Sequence, residues 1–152
     1  MTKKIAMVFP GQGSQSVGMV ADLYEQSAAV RDTYAEAAEA LGFDLWSLTK
    51  DGPAENLNQT VNTQPAMLAA GVACWRALQE QHTVIPDYFA GHSLGEYTAL
   101  VASGQLDFTE AIRLARKRAE AMQAAVPAGV GAMAAILGLD AAAIDAVCAE
   151  VS

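Results

Sequence analysis

At 152 residues the chain has the length of one ordinary domain, and with 53% hydrophobic and 17% charged residues its composition excludes a disordered or fibrous class. A net charge of −8 argues against a nucleic-acid-binding surface. Every apolar run is interrupted by Lys, Asp, Glu or Gln before it could span a membrane, and Pro10 ends the first run too early for a signal peptide.

Ile5–Phe9 is a continuous apolar run, the pattern of a strand buried on both faces. It runs into Pro10-Gly11-Gln12-Gly13-Ser14-Gln15, a glycine loop. A dinucleotide fingerprint would need a third glycine at position 16, where Ser16 stands, so no nucleotide cofactor is implied. Helices are expected over about Val17–Tyr24 and Ala28–Leu41, the second closed by Gly42. Asp44–Leu48 carries Trp46, a core aromatic, and Pro53–Leu57 reads as a short surface turn of helix. Asn62-Thr63-Gln64-Pro65 opens a long helix to about Gln81 with proline in its first turn. That helix is apolar nearly all round, hence buried beside a sheet. Cys74 and Cys148 have no metal-ligand spacing and read as small buried apolar residues of a reducing, cytoplasmic protein. His82 lies in a polar exit and is expected to be exposed.

The organising stretch is Gly91-His92-Ser93-Leu94-Gly95. It follows the apolar run Tyr88-Phe89-Ala90 and precedes a helical run, Glu96–Ala102. Gly-x-Ser-x-Gly between a strand and a helix is the pattern of a nucleophile elbow. The two glycines give a tight turn the room to lift the Ser93 hydroxyl clear of the backbone. The following helix aims unpaired N–H groups at any oxyanion formed there.

Asp107 and Glu110 form a capping-box pattern for a helix over about Phe108–Ala125. Its periodicity places Ala111, Leu114, Ala115 and Met122 on one face and Arg113, Arg116 and Lys117 on the other. Arg118 falls within the apolar stripe. A guanidinium there needs an anionic partner, either an internal carboxylate or a carboxylate-bearing substrate. Gly131–Leu139 reads as a further strand, and Asp140 caps a closing helix through Val151.

The ordered set Val8-Phe9-Pro10-Gly11-Gln12-Gly13-Ser14-Gln15, Thr63-Gln64-Pro65-Ala66, Gly91-His92-Ser93-Leu94-Gly95-Glu96, Arg118 and Gly131-Ala132-Met133-Ala134-Ala135-Ile136 resembles the malonyl-CoA:acyl carrier protein transacylases, stand-alone acyltransferases of fatty acid synthesis. The resemblance implies an α/β fold with parallel strands. Residues 1–127 would be the N-terminal part of an α/β-hydrolase-like large subdomain, and 128–152 the opening β-α of a ferredoxin-like small one. It implies Ser93 as the nucleophile, the backbone N–H groups of Gln12 and Leu94 as the oxyanion hole, and Arg118 as the partner of the malonyl carboxylate. Gln12 and His92 would also bind substrate. Malonyl-CoA and acyl carrier protein are the implied partners, with no metal or other cofactor, no nucleic acid and no membrane.

The family's general-base histidine lies in a later stretch than these residues reach. The expectation is therefore of a fragment, or of a fold completed by a second chain, inactive and poorly soluble alone. A polyketide acyltransferase, a serine esterase or lipase, and a non-catalytic acyl-CoA-binding fragment are the alternatives. An inward Arg118 argues against a neutral lipid substrate.

Overall fold

The protein is described by a computed structural model over residues 4–126, 130 and 136–151. Two strands and eight helices are formed among these residues: β1 (Ala6–Phe9), α1 (Ala21–Gln26), α2 (Ala28–Leu41), α3 (Leu45–Asp51), α4 (Ala54–Leu57), α5 (Thr60–Gln81), β2 (Tyr88–Gly91), α6 (Leu94–Ala102), α7 (Phe108–Ala125) and α8 (Ala141–Val151). β1 and β2 pair in parallel, with Phe9 opposite Gly91, so both strands end level. The fold is α/β.

Helix boundaries follow local chemistry. Ser27 caps α2 by accepting from the Val30 N–H, and Gly42 closes it at φ 75. Asp44 caps α3 through Ser47 N–H, Asp107 caps α7 through Glu110 N–H, and Asp140 accepts from Ala143 N–H at the start of α8. α1 begins later than the apolar pattern suggests, because Gly18 and Val20 both take positive φ and spend 17–20 on turns. α5 begins earlier, at Thr60, so Pro65 falls in its second turn rather than its first.

The core joins α2, α5 and α7, with Tyr34, Leu45, Leu57, Leu68, Val72 and Ile112 fully enclosed. Trp46 stacks on Tyr24 at 3.8 Å and meets Tyr34 edge-on, in keeping with a core aromatic. α5 is buried along nearly all of 63–73 and covers one sheet face, where Trp75 meets Phe89 edge-on at 5.5 Å.

Three expectations are corrected. β1 is not buried on both faces: Val8 is 71% exposed, because alternate side chains of a strand point to opposite faces and only the Phe9 side meets the helices. Cys74 and Cys148 are both exposed. Cys74 lines an open apolar groove of about 350 Å³ with Met7, Phe9, Trp75 and Leu78 instead of packing inside. On α7 the buried face is Phe108, Ala111, Ile112, Ala115 and Ala119, while Leu114 and Met122 are 43% and 38% exposed. The strand expected over Gly131–Leu139 lies largely outside the described residues, and 136–139 are not in a strand. No described helix is long and apolar enough to cross a membrane.

Candidate active site

Because β1 and β2 are parallel and end level, the loops that leave them emerge side by side. Loops at the carboxyl ends of adjacent parallel strands are where α/β folds place their sites. The approach is close. A Cβ on Gly11 would lie 2.7 Å from the His92 carbonyl oxygen, so the first loop can rest against the second only as glycine.

Ser93 sits between β2 and α6 at φ 52 and ψ −108, a backbone conformation that costs a non-glycine residue about 1–3 kcal/mol. The surroundings enforce it. A Cβ on Gly91 would fall 2.0 Å from the Gly95 carbonyl carbon, and one on Gly95 would fall 2.3 Å from the Phe9 carbonyl oxygen. Gly95 N–H donates to the His92 carbonyl at 2.9 Å, closing the turn. The glycines thus have the role expected of them, and the Ser93 side chain is exposed at the tip. Leu94 is the first residue of α6, so its N–H has no acceptor within that helix.

Arg118 comes to Ser93 from α7. Its Nη2 donates to Ser93 Oγ at 3.0 Å and its Nη1 donates to Gln64 Oε1 at 2.6 Å. The guanidinium carbon lies 5.8 Å from the Tyr97 ring centre. Among the described residues Arg118 pairs with no carboxylate; the ion pairs found there are Arg76–Glu36 and Arg116–Glu120. The internal acid that could have explained this arginine is absent among them. Its place differs from the expected one, however. Arg118 stands on the half-open margin of α7 beside Leu114 and Met122, not on the core stripe.

Gln64 carries the arrangement, a role the sequence does not assign it within Thr63-Gln64-Pro65-Ala66. It is fully buried, with its amide oxygen facing Arg118 and its Nε2 donating to Met122 Sδ at 3.3 Å. A glutamine inside a helix otherwise packed with Ala, Leu and Val was the available signal, since a buried amide needs partners. Gln12 is held from the glycine loop: its Nε2 donates to Thr60 Oγ1 at 3.1 Å, and Gln15 Nε2 donates to Asn58 Oδ1 at 2.9 Å. These two bonds pin the glycine loop to the start of α5.

The histidines take no part around the hydroxyl. His92 is exposed with its ring beside Gly11, and His82 is exposed at the far end of α5, as expected. Among the described residues Ser93 Oγ has Arg118 as its partner and no base. No His, Cys, Asp and Glu cluster suited to a metal occurs among them. Arg116, expected to be a solvent-facing cation, is instead engaged: it donates to the Val61 carbonyl and Asn62 Oδ1, both at 3.1 Å, and to Glu120 Oε1 at 2.7 Å. Arg113 and Lys117 remain exposed.

Parallel strands, a glycine-flanked serine at positive φ, and a helix starting at the next residue define an α/β protein with a strand–turn–helix elbow that presents Ser93. The chain belongs to the acyl transferase domain family, whose description matches residues 6–150. It is 56% identical over 147 residues to the malonyl CoA-acyl carrier protein transacylase of Escherichia coli, covering 97% of this chain and 48% of that protein. The crystal structure of an acyl carrier protein S-malonyltransferase from Vibrio cholerae superimposes with a TM-score of 0.87 at 59% identity, over 97% of this chain and 48% of that one. A malonyl-transacylase solved in complex with its type II PKS acyl-carrier protein matches with a TM-score of 0.90 at 56% identity, over 98% of this chain and 48% of the other. The chain thus spans about half the length of the relatives it matches.

Proposed function

We propose that this chain carries the nucleophile, the oxyanion donors and the carboxylate clamp of a transferase that moves malonyl from malonyl-CoA to the phosphopantetheine thiol of acyl carrier protein. The observation that carries the reading is Arg118, held at Ser93 Oγ with no carboxylate of its own among the described residues.

In the first half-reaction Ser93 Oγ attacks the thioester carbonyl. The C–O bond forms, the C–S bond breaks, and the Ser93 proton passes through a base to the departing CoA sulfur. That base comes from outside the described residues. The negative charge on the carbonyl oxygen meets the N–H groups of Leu94 and Gln12 on the two adjoining loops. The free carboxylate of malonate takes the Arg118 guanidinium in a charge-assisted, two-pronged pair. In the second half-reaction the carrier's thiol attacks the ester and frees Ser93. His92, exposed beside Gly11, would also bind substrate.

Residues 1–127 would be the first part of the catalytic unit, and 128–152 the opening of a smaller one. The setting is fatty acid assembly in the cytoplasm. The names of the relatives support the substrates, and an arginine that meets no carboxylate among the described residues disfavours a hydrolase for neutral esters. The test is intact-mass analysis of the complete gene product after mixing with malonyl-CoA. A malonyl adduct is expected and should vanish in Ser93→Ala; an adduct that persists there removes Ser93 from the mechanism.

A further inference from the structure

Pro65 sits in the second turn of α5 and has no N–H. The carbonyl four residues earlier, Val61, is therefore left without its helical donor. Arg116 Nη1 supplies one at 3.1 Å and reaches the Asn62 Oδ1 of the same turn at 3.1 Å. Two residues along α7, Arg118 donates to Gln64 Oε1 at 2.6 Å, and Gln64 directly precedes the proline. One turn of α5, residues 61–64, is thus held by two arginines of one helix. The bond to Gln64 is the one that aims the second arginine at Ser93.

Val61 and Gln64 are three residues apart, hence neighbours on the same side of α5. Fixing Val61 and Asn62 against Arg116 fixes the depth and rotation at which α7 meets α5. That in turn fixes where the Gln64 amide receives Arg118. Glu120 holds the Arg116 Nε from the solvent side at 2.7 Å and leaves its Nη1 pointing at the helix. An arginine meant only for solvent would not place one nitrogen on both a main-chain carbonyl and a neighbouring amide.

We propose that Arg116 is a positioning residue for carboxylate recognition. By completing the α5 turn that Pro65 leaves open, it holds Gln64 and so sets the Arg118 guanidinium at the distance where it accepts a malonyl rather than an acetyl group. This rests on the transferase reading above.

The test measures kcat/KM for malonyl-CoA and acetyl-CoA in the complete gene product. Arg116→Ala should lower the malonyl-to-acetyl ratio at least about threefold, because the loss falls on the interaction only malonyl makes. Pro65→Ala restores an N–H to Val61, so the same Arg116→Ala change in a Pro65→Ala background should cost the ratio much less. Glu120→Gln, which leaves the Val61 contact in place, should keep the ratio of the parent protein. The inference is overturned if Arg116→Ala lowers both substrates equally, or if its effect is the same with and without Pro65. A parent protein that transfers no malonyl at all would remove the function reading itself, and this assignment with it. A parent that transfers malonyl while Arg116→Ala keeps its ratio would remove the assignment alone.

Discussion

Arg118 Nη2 and Ser93 Oγ lie 3.0 Å apart, with the guanidinium as donor and the hydroxyl oxygen as acceptor. The cation therefore rests on the group proposed to attack. A carboxylate is a far stronger acceptor than a hydroxyl, so malonate would draw Arg118 onto itself and release the Ser93 lone pairs. An acetyl thioester has no free carboxylate and would leave the cation on the serine.

Replacing Arg118 should therefore separate the two substrates. Hydrogen bonds to charged groups contribute about 1.5–3 kcal/mol, so Arg118→Ala should lower malonyl kcat/KM about 10- to 150-fold. Acetyl transfer should hold steady or rise. Steady-state kinetics with both thioesters decides it, and equal losses would make Arg118 a purely structural residue.

The glycine loop is tied down by Gln12 to Thr60 and Gln15 to Asn58, both through exposed side chains. A neutral hydrogen bond is worth about 0.5–1.5 kcal/mol net, so Thr60→Val should lower kcat about 2- to 12-fold if that tether aims the Gln12 N–H. KM for malonyl-CoA should stay put, since the proposed carboxylate clamp is held by Gln64 and not by Thr60. Thr60→Ser, which keeps the hydroxyl, should restore the rate.

Gly95→Ala should be far more damaging than its one methyl group suggests, because the new carbon would fall 2.3 Å from the Phe9 carbonyl oxygen of β1. The expected outcome is loss of soluble, folded protein, seen as a missing cooperative transition by circular dichroism. Gly104, which takes positive φ but has open space around it, is the control; Gly104→Ala should be milder and leave a clear melting curve.

Under the proposed function, docking of an acidic carrier onto this acidic chain would call for a local basic patch, and Arg113 and Lys117 are the exposed cations that α7 offers. Charge reversal of both to Glu should raise KM for acyl carrier protein and leave KM for malonyl-CoA unchanged. Unchanged values for both would place the docking surface elsewhere. Arg116 is left out of this patch because its donors are already committed to α5 and Glu120.

The elbow was legible in the sequence because its constraints are local: two glycines, a strand before and a helix after. The caps at Asp107 and Asp140 belong to the same class of signal, whereas those at Ser27 and Asp44 emerge only in the structure. The place of Arg118 was half legible. Counting by hydrophobicity put Leu114 and Met122 in the core, whereas α7 buries a face rich in alanine. Small side chains let α7 approach α5 closely, and size rather than hydropathy chose the buried face. The early start of α5 was hidden because proline favours a first helical turn, and nothing near Pro65 in sequence reveals a donor from 51 residues away at Arg116 (116 minus 65).

The parallel ladder between β1 and β2 acts as a ruler for the site. Both loops depart from paired residues, Phe9 opposite Gly91, so their separation is set by main-chain hydrogen bonds and not by the side chains of either strand. Exchanging Met7 or Phe89 for another apolar residue would change how firmly the sheet sits on α5 while leaving the two loops in register. Adding or deleting a single residue within either strand would do the reverse. It would shift one loop past the other by about 3.3 Å and turn every later side chain of that strand to the opposite face. Natural variation around this site should therefore tolerate apolar substitution at strand positions other than Gly91, and changes in strand length hardly at all.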